Sequence, residues 1–361
     1  MNKLDYSAAG VDIEKGDSAS RAAYKNAKNT FSSRKGMIGE PLQLDGGFSG
    51  ALDFGDFLLI QNDDGTGTKT EIAERINDYS TIGEDLLAMV ADDAICVGAE
   101  VVSLTNTFDV PTVDPQVLDQ MTESLANACA EQRIVIPGGE IAEVPDAAKK
   151  IIWNATSVGV VKKERFITGK NIKEDDVIIG LKGRVLRSNG MSLARKICEK
   201  HFGENWHNEP WKNGKTWGQV LLTPSKIFHR LVLDNVIGDF DAPRPFNISG
   251  ICHITGGGIP GNVPRILPKS LGAKFDNLHE PHNAIKKLKE LENIDEKECY
   301  KTWHCGTAMM IFCSQNDAEK ICEILNNKDN EVEAKIIGNV TNSGKIELIS
   351  KFSGKLLSYD S

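Results

Sequence analysis

The sequence predicts an α/β protein of the α+β type, built as two domains. Three observations carry that expectation. Short apolar runs of strand length alternate with amphipathic stretches of helical period along most of the chain. Clusters of glycine and acid close several of those runs, where ligand sites of α/β folds collect. A polar stretch at 162–176 separates two halves of ordinary domain size in the 361-residue chain. We therefore place one domain at 1–170 and the other at 171–361.

Composition narrows the function classes. Hydrophobic content of 40% and charged content of 26% suit a soluble globular protein. A net charge of −9 and a pI near 5.4 argue against the basic footprint of a nucleic-acid binder. No apolar run approaches the roughly 20 residues needed to span a bilayer, so no membrane partner is expected. The start, Met1-Asn2-Lys3-Leu4-Asp5-Tyr6, lacks the apolar core of a signal peptide. Eight scattered cysteines form no Cys-x-x-Cys pair, which points to reduced thiols and a cytoplasmic setting.

In chain order, a helix is expected at 19–34, capped near Asp17 or Ser18. This segment's Arg21, Lys25, Lys28, Arg34 and Lys35 form either a solvated face or a phosphate clamp. After the glycine turn at Gly46-Gly47, the apolar run 57–60 reads as a strand. It leads into Asp63-Asp64-Gly65-Thr66-Gly67-Thr68-Lys69. Adjacent carboxylates at a strand end repel unless a cation or hydrogen bonds offset them. The small residues let backbone N–H groups approach a ligand, and Lys69 is a compact cation suited to phosphate. Together they read as a metal–nucleotide loop, with a polar hairpin turn as the alternative. A helical pattern at 82–97 puts Asp85 and Asp92 on one face with Asp93 beside them. That face is either solvated or an oxygen-ligand site for Mg²⁺. A strand at 100–108, a helix at 114–131, a strand at 133–137 ending in Gly138-Gly139-Glu140, and a strand at 153–161 complete this half.

The second half opens with a strand at 177–181 and the polar loop Arg187-Ser188-Asn189-Gly190, then a helix at 191–201 whose first N–H groups suit an anion. An irregular insertion at 203–219 holds Trp206, Trp211 and Trp217, and a helix is expected at 223–235. A strand at 251–254 delivers Thr255-Gly256-Gly257-Gly258-Ile259-Pro260-Gly261. This formally contains Gly-x-Gly-x-x-Gly, but Pro260 and Pro264 are expected to block the helix a dinucleotide fold needs. His253 reads either as a satisfied core histidine or as a proton carrier. Strand and helix alternate at 307–313, 316–327, 333–340 and 345–350, before a tail at 351–361 expected to be loosely held.

An ordered set of motifs carries a resemblance. It begins with Ala9-Gly10-Val11-Asp12, Asp64-Gly65-Thr66-Gly67-Thr68-Lys69 and Thr81-Ile82-Gly83-Glu84-Asp85-Leu86. Asp92-Asp93, Gly98-Ala99-Glu100 and Gly138-Gly139-Glu140-Ile141-Ala142-Glu143 follow. Ser188-Asn189-Gly190, His253-Ile254-Thr255-Gly256-Gly257-Gly258, Asn262-Val263-Pro264-Arg265 and Cys305-Gly306 complete it. The set resembles the phosphoribosylformylglycinamidine cyclo-ligase family of purine biosynthesis over nearly the whole chain.

The resemblance implies an ATP-dependent ring closure of formylglycinamidine ribonucleotide to aminoimidazole ribonucleotide, with ADP and phosphate released. It implies two α/β domains whose N-terminal sheets pair across a homodimer, with ATP bound near that interface. It assigns Mg²⁺ to Asp64, Asp85, Asp93 and Glu140. ATP phosphates go to Asp64, Gly65, Thr66, Gly67, Thr68 and Lys69. Catalytic roles fall to His253, Asn189 and Lys69, with the Ser188-Asn189-Gly190 and Gly256-Gly257-Gly258 loops facing the ribonucleotide. Two alternatives remain open: another ATP-dependent enzyme of the same superfamily, kinase-like on a small molecule, or a non-catalytic nucleotide-binding homologue. The chain departs from the family pattern at Asp63 for threonine, Asp92 for asparagine, Arg187 for histidine and His304 for asparagine. Arg187 and His304 either bind a ribonucleotide phosphate or mark a changed substrate.

Overall fold

A computed structural model describes residues 10, 13–43 and 47–360. Ala9, Val11, Asp12 and Gly46 of the expected motifs lie outside the described residues. The first sheet comprises β1 (Glu40–Pro41), β2 (Gly50–Asp53), β3 (Phe57–Gly65), β4 (Glu100–Val110), β5 (Val135–Glu143) and β6 (Ile152–Lys162). Its order is β1-β2-β3-β6-β4-β5, antiparallel except for the β4–β5 pair. The second sheet comprises β7 (Val177–Lys182), β8 (Ile248–His253), β9 (Gly272–Phe275), β10 (Thr307–Cys313), β11 (Ala334–Thr341), β12 (Lys345–Ile349) and β13 (Leu356–Asp360). Its order is β13-β12-β9-β11-β7-β10-β8, antiparallel except for β12 beside β9. Two mixed sheets with packed helices are the architecture expected.

The helix Ile82–Cys96 positions the site. Its residues are apolar nearly all round, which marks a helix buried on every side. It packs on β3 and β6 of the first sheet and also meets β8 of the second. Asp85 and Asp92 therefore have no solvent exposure, and the solvated acidic face is ruled out.

Several elements differ from expectation for identifiable reasons. The first helix runs Ile13–Lys28, with a 3₁₀ turn at Phe31–Arg34. Asp17 and Ser18 thus stand inside it; a short polar residue permits a helix start without forcing one. Asp63 to Gly65 do not form a hairpin turn. They stay in the β3–β6 ladder, with Asp64 opposite Ala155 and Gly65 opposite Asn154, and a 3₁₀ turn at Gly67–Lys69 leads into the helix Thr70–Ile76. Gly138 to Glu140 likewise lie within β5 rather than beyond it.

No helix forms at 223–228; one turn begins at His229 and ends as a π-helical turn, Leu233–Ile237. The N–H of Ser225 bonds Asp85 Oδ1, and those of Phe228 and His229 bond Asp92 Oδ1, so distant carboxylates take the donors. Pro260 sits inside a five-residue helix, Gly258–Asn262. There it occupies the first turn, where its missing N–H has no intrahelical partner to lose. The tail is not loose: Leu356–Asp360 pairs antiparallel with β12, and Tyr359 is buried.

Candidate functional site

Two ends of the fold meet around the helix Ile82–Cys96. From the first sheet come the end of β3 and the turn after it. Asp64 Oδ1 accepts the Gly65 N–H at 2.7 Å. Burial pushes the Asp64 carboxyl up to about 6 against the Gly65 hydrogen bond, and repulsion from Asp93 and Asp63 adds to the rise. Only glycine fits at 65, because a Cβ would stand 2.9 Å from Trp153 O and closer still to the Asn154 side chain. Thr66 is fully buried and its N–H bonds Trp153 O at 3.1 Å, so it locks the turn. Gly67 is exposed at φ 55°, and Thr68 is half-buried.

Lys69 does not face an open phosphate site. Its ammonium is enclosed, 2.7 Å from Asp85 Oδ1 and 2.7 Å from Thr223 O, with no solvent exposure. Burial lowers its pKa while Asp85 opposes the fall. Asp85 Oδ1 also accepts the Ser225 hydroxyl at 2.5 Å. Lys69 and Asp85 thus tie the first sheet's turn to the second half of the chain.

Asp93 and His253 join the two halves directly. His253 ends β8, and its Nδ1 is 2.7 Å from Asp93 Oδ1. Burial raises the Asp93 carboxyl to about 7 against the pull of Arg265, Asn62 and Arg187. Burial also drives His253 well below the ordinary histidine range, helped by the Arg187 charge. Both groups therefore favour their neutral forms. With Nδ1–H donated to Asp93, His253 Nε2 keeps a lone pair, and that atom is buried without a partner.

Beyond His253, which ends β8, the small loops of the second sheet begin. A Cβ added at Gly256 would lie 3.4 Å from Asn189 Nδ2, so the 188–190 and 255–258 loops face each other. Gly190, at φ 80°, caps the helix Met191–Phe202, and a Cβ there would run into the Trp303 ring. Ser188 Oγ, Asn189 Oδ1, Arg187 Nε and His304 Nε2 are also buried without partners. Burial and the Arg187 charge hold His304 down at about 3. A cluster of unpartnered donors and acceptors inside a protein is suited to a polar ligand.

The expected Mg²⁺ quartet is not gathered. Among the described residues no group of three or more His, Cys, Asp or Glu side chains is placed to hold a metal ion. Asp85 Oδ1 is taken by Lys69 and Ser225, while its Oδ2 is buried without a partner. Glu140 lies exposed on edge strand β5, opposite Thr107, which is opposite Asn154, which is opposite Gly65. Three strand spacings separate it from Gly65, about 14 Å. Asp64 and Asp93 remain as the near pair.

Comparison with known proteins follows this division. The N-terminal-domain profile of the AIR synthase related proteins matches residues 49–161, and their C-terminal-domain profile matches 173–351. The phosphoribosylformylglycinamidine cyclo-ligase of Methanococcus maripaludis is 35% identical over 357 residues, covering 99% of this chain and 98% of that protein.

The chain belongs to the phosphoribosylformylglycinamidine cyclo-ligase family.

A second cyclo-ligase, from Methanocaldococcus jannaschii, is 35% identical over 340 residues, covering 94% of this chain and 93% of that protein. Among solved structures, E. coli HypE, a hydrogenase maturation protein, superposes with a TM-score of 0.59 at 16% identity, covering 84% of this chain and 85% of that one. That likeness is one of fold.

Two departures from the cyclo-ligase pattern meet in space. Arg187 Nη2 lies 2.8 Å from Asp92 Oδ2, with the two side chains 3% and 0% exposed. Ser225 carries no signal of its own in the sequence, because its role depends on Asp85, a carboxylate far back in the chain. Arg265 is legible only as part of Asn262-Val263-Pro264-Arg265. It bonds Asn262 Oδ1 at 3.1 Å and lies over the Phe48 ring. It borders a cleft of about 740 Å³ that also has Lys163, Lys170 and Lys269 in its wall.

Proposed function

We propose that this chain closes the imidazole ring of aminoimidazole ribonucleotide, using ATP to activate formylglycinamidine ribonucleotide and releasing ADP and phosphate. Membership of the cyclo-ligase family supports the activity. The observation that carries the assignment of roles is the 2.7 Å contact between Asp93 and His253, which sets a carboxylate of the helix packed on β3 against the histidine that ends β8, just before the glycine loop.

Asp64 and Asp93 fit a divalent cation. They are two desolvated carboxylates whose charge is costly without one, and Mg²⁺ commonly takes one or two carboxylates and leaves the rest to water and phosphate oxygens. When bound, Mg²⁺ draws negative charge off the phosphates. Gly67 and Thr68 border the nucleotide, and Gly65 lets it approach. Lys69 serves by fixing the turn against Asp85 rather than by touching phosphate. The γ-phosphoryl group moves to the formyl oxygen, the substrate's own amine attacks that carbon, and phosphate leaves as the ring closes. His253, oriented by Asp93 and held neutral, takes the proton from the attacking amine at Nε2. Asn189 orients the amidine.

The working unit in this reading is a cytoplasmic homodimer. On edge strand β5, Val135 (63% exposed) and Ile141 (50%) are apolar side chains that a second copy would cover. No helix among the described residues is long and apolar enough to cross a membrane. Production of aminoimidazole ribonucleotide with ADP tests the activity; a chain that binds ATP without that product favours another enzyme of the superfamily.

A further inference from the structure

The buried pair Arg187–Asp92 has no part in the reaction scheme above, yet it stands at its centre. Asp92 comes from the helix beneath the first sheet, and Arg187 from the loop that follows β7 of the second. Every polar atom of the Asp92 carboxylate is used. Oδ1 accepts from Phe228 N at 2.8 Å and His229 N at 2.9 Å, and Oδ2 accepts from Arg187. The guanidinium in turn donates to Ala88 O and Lys226 O, both at 3.1 Å. Of its three nitrogens only Nε makes no hydrogen bond: it is buried and without an acceptor.

A buried orphan N–H on a charged fork is costly unless something fills it. Arg187 precedes Ser188 and Asn189 in one loop. His253 bonds Asp93, the neighbour of Arg187's partner Asp92, and Trp303, the neighbour of His304, donates to Gly190 at the end of that loop. The unpartnered atoms of Ser188, Asn189, His253 and His304 therefore stand in one neighbourhood with Nε. The ligand that satisfies them all carries oxygen acceptors for Nε–H and further polar groups for the hydroxyl, the amide and the imidazoles.

We propose that Arg187 and Asp92 act as one unit, in which Asp92 is a positioning residue that aims the guanidinium so that its Nε–H meets an oxygen of the ribonucleotide substrate. The identity of the substrate rests on the function proposed above; the coupling of the two residues does not. Either residue alone at its position would leave a buried charge uncompensated.

The test uses full-length protein carrying Asp92→Asn, Arg187→His, or both. Calorimetry measures formylglycinamidine ribonucleotide binding without ATP, and Mg²⁺-ATP binding separately. Each single variant weakens ribonucleotide binding by roughly ten- to a hundred-fold, and the double variant loses no more than Arg187→His alone, because Asp92 acts only through the guanidinium. Mg²⁺-ATP affinity moves less than about threefold throughout. Losses that multiply in the double variant, which mark independent residues, a return of the double variant to the parent affinity, which marks a merely structural charge pair, or equal losses for both ligands overturn the proposal. Arg187→Lys keeps the charge but not the fork, and weakens ribonucleotide binding as the single variants do. A parent that binds the ribonucleotide but does not turn it over refutes the ring closure and leaves the pair tested. A parent that binds no ribonucleotide refutes the pair's role as well.

Discussion

Lys69 Nζ and Asp85 Oδ1 lie 2.7 Å apart with no solvent at either side chain, so the cation nearest the candidate nucleotide turn is a structural tie between the two halves of the chain. Removing one member of such a pair strands the other charge in the interior. Lys69→Met therefore costs about 3–5 kcal/mol of folding stability. Urea unfolding at pH 7 checks it. A loss under about 1 kcal/mol, the size typical of an exposed pair, contradicts the enclosed geometry.

Gly190 supplies both a left-handed conformation and room for Trp303, whose Nε1 donates to Gly190 O at 3.2 Å. Gly190→Ala forces strain at φ 80° and a collision with the indole. We expect a loss of about 1–3 kcal/mol and weakened ribonucleotide binding, because the Ser188-Asn189 loop moves with it. Thermal unfolding and ribonucleotide titration measure the two effects.

His253→Gln keeps the size of the side chain near Asp93 but removes the basic Nε2. Turnover falls by about 10²–10⁴ with Mg²⁺-ATP affinity retained. Rapid-quench measurement of ADP and imidazole product together checks the point. An unchanged kcat removes His253 from proton transfer.

Acid should destabilise the protein through its buried neutral histidines. His279, bonded to Thr307 Oγ1 and Glu333 O, is held down at about 4 by burial, against an ordinary value of 6.5. Between those values the unfolded chain binds a proton that the folded chain refuses, so stability rises with pH across that window. The contribution is complete above pH 6.5 and is lost as pH falls towards 4. At pH 5 the loss from this one residue is about 2 kcal/mol. Asp64 and Asp93 act in the opposite sense, because their folded values are raised and the folded chain holds the proton longer. Urea unfolding of His279→Gln at pH 7.5 and pH 5 isolates the histidine: its stability should change less between the two than that of the parent.

The alternation from β3 to β12 is legible in the sequence because strands and buried helices carry their period in local residues. The Asp64 stretch is legible as a candidate site at a strand end, but the strand's continuation through Gly65 is not, since pairing with β6 depends on residues far along the chain. The non-helical 223–228 segment is hidden for the same reason: its N–H groups are taken by Asp85 and Asp92. Likewise, Asp92 and Arg187 each stand out singly as departures from a pattern, and only the fold brings them to 2.8 Å. Lys69 carries the chemistry of a phosphate ligand in sequence; its enclosure is a tertiary fact.

The most direct measurement incubates the purified protein with Mg²⁺-ATP and formylglycinamidine ribonucleotide and follows aminoimidazole ribonucleotide and ADP together. The account predicts both in equal amounts, with Asp64→Asn abolishing them while the protein stays folded. ATP binding with no imidazole product, or product formation that survives Asp64→Asn undiminished, would contradict it.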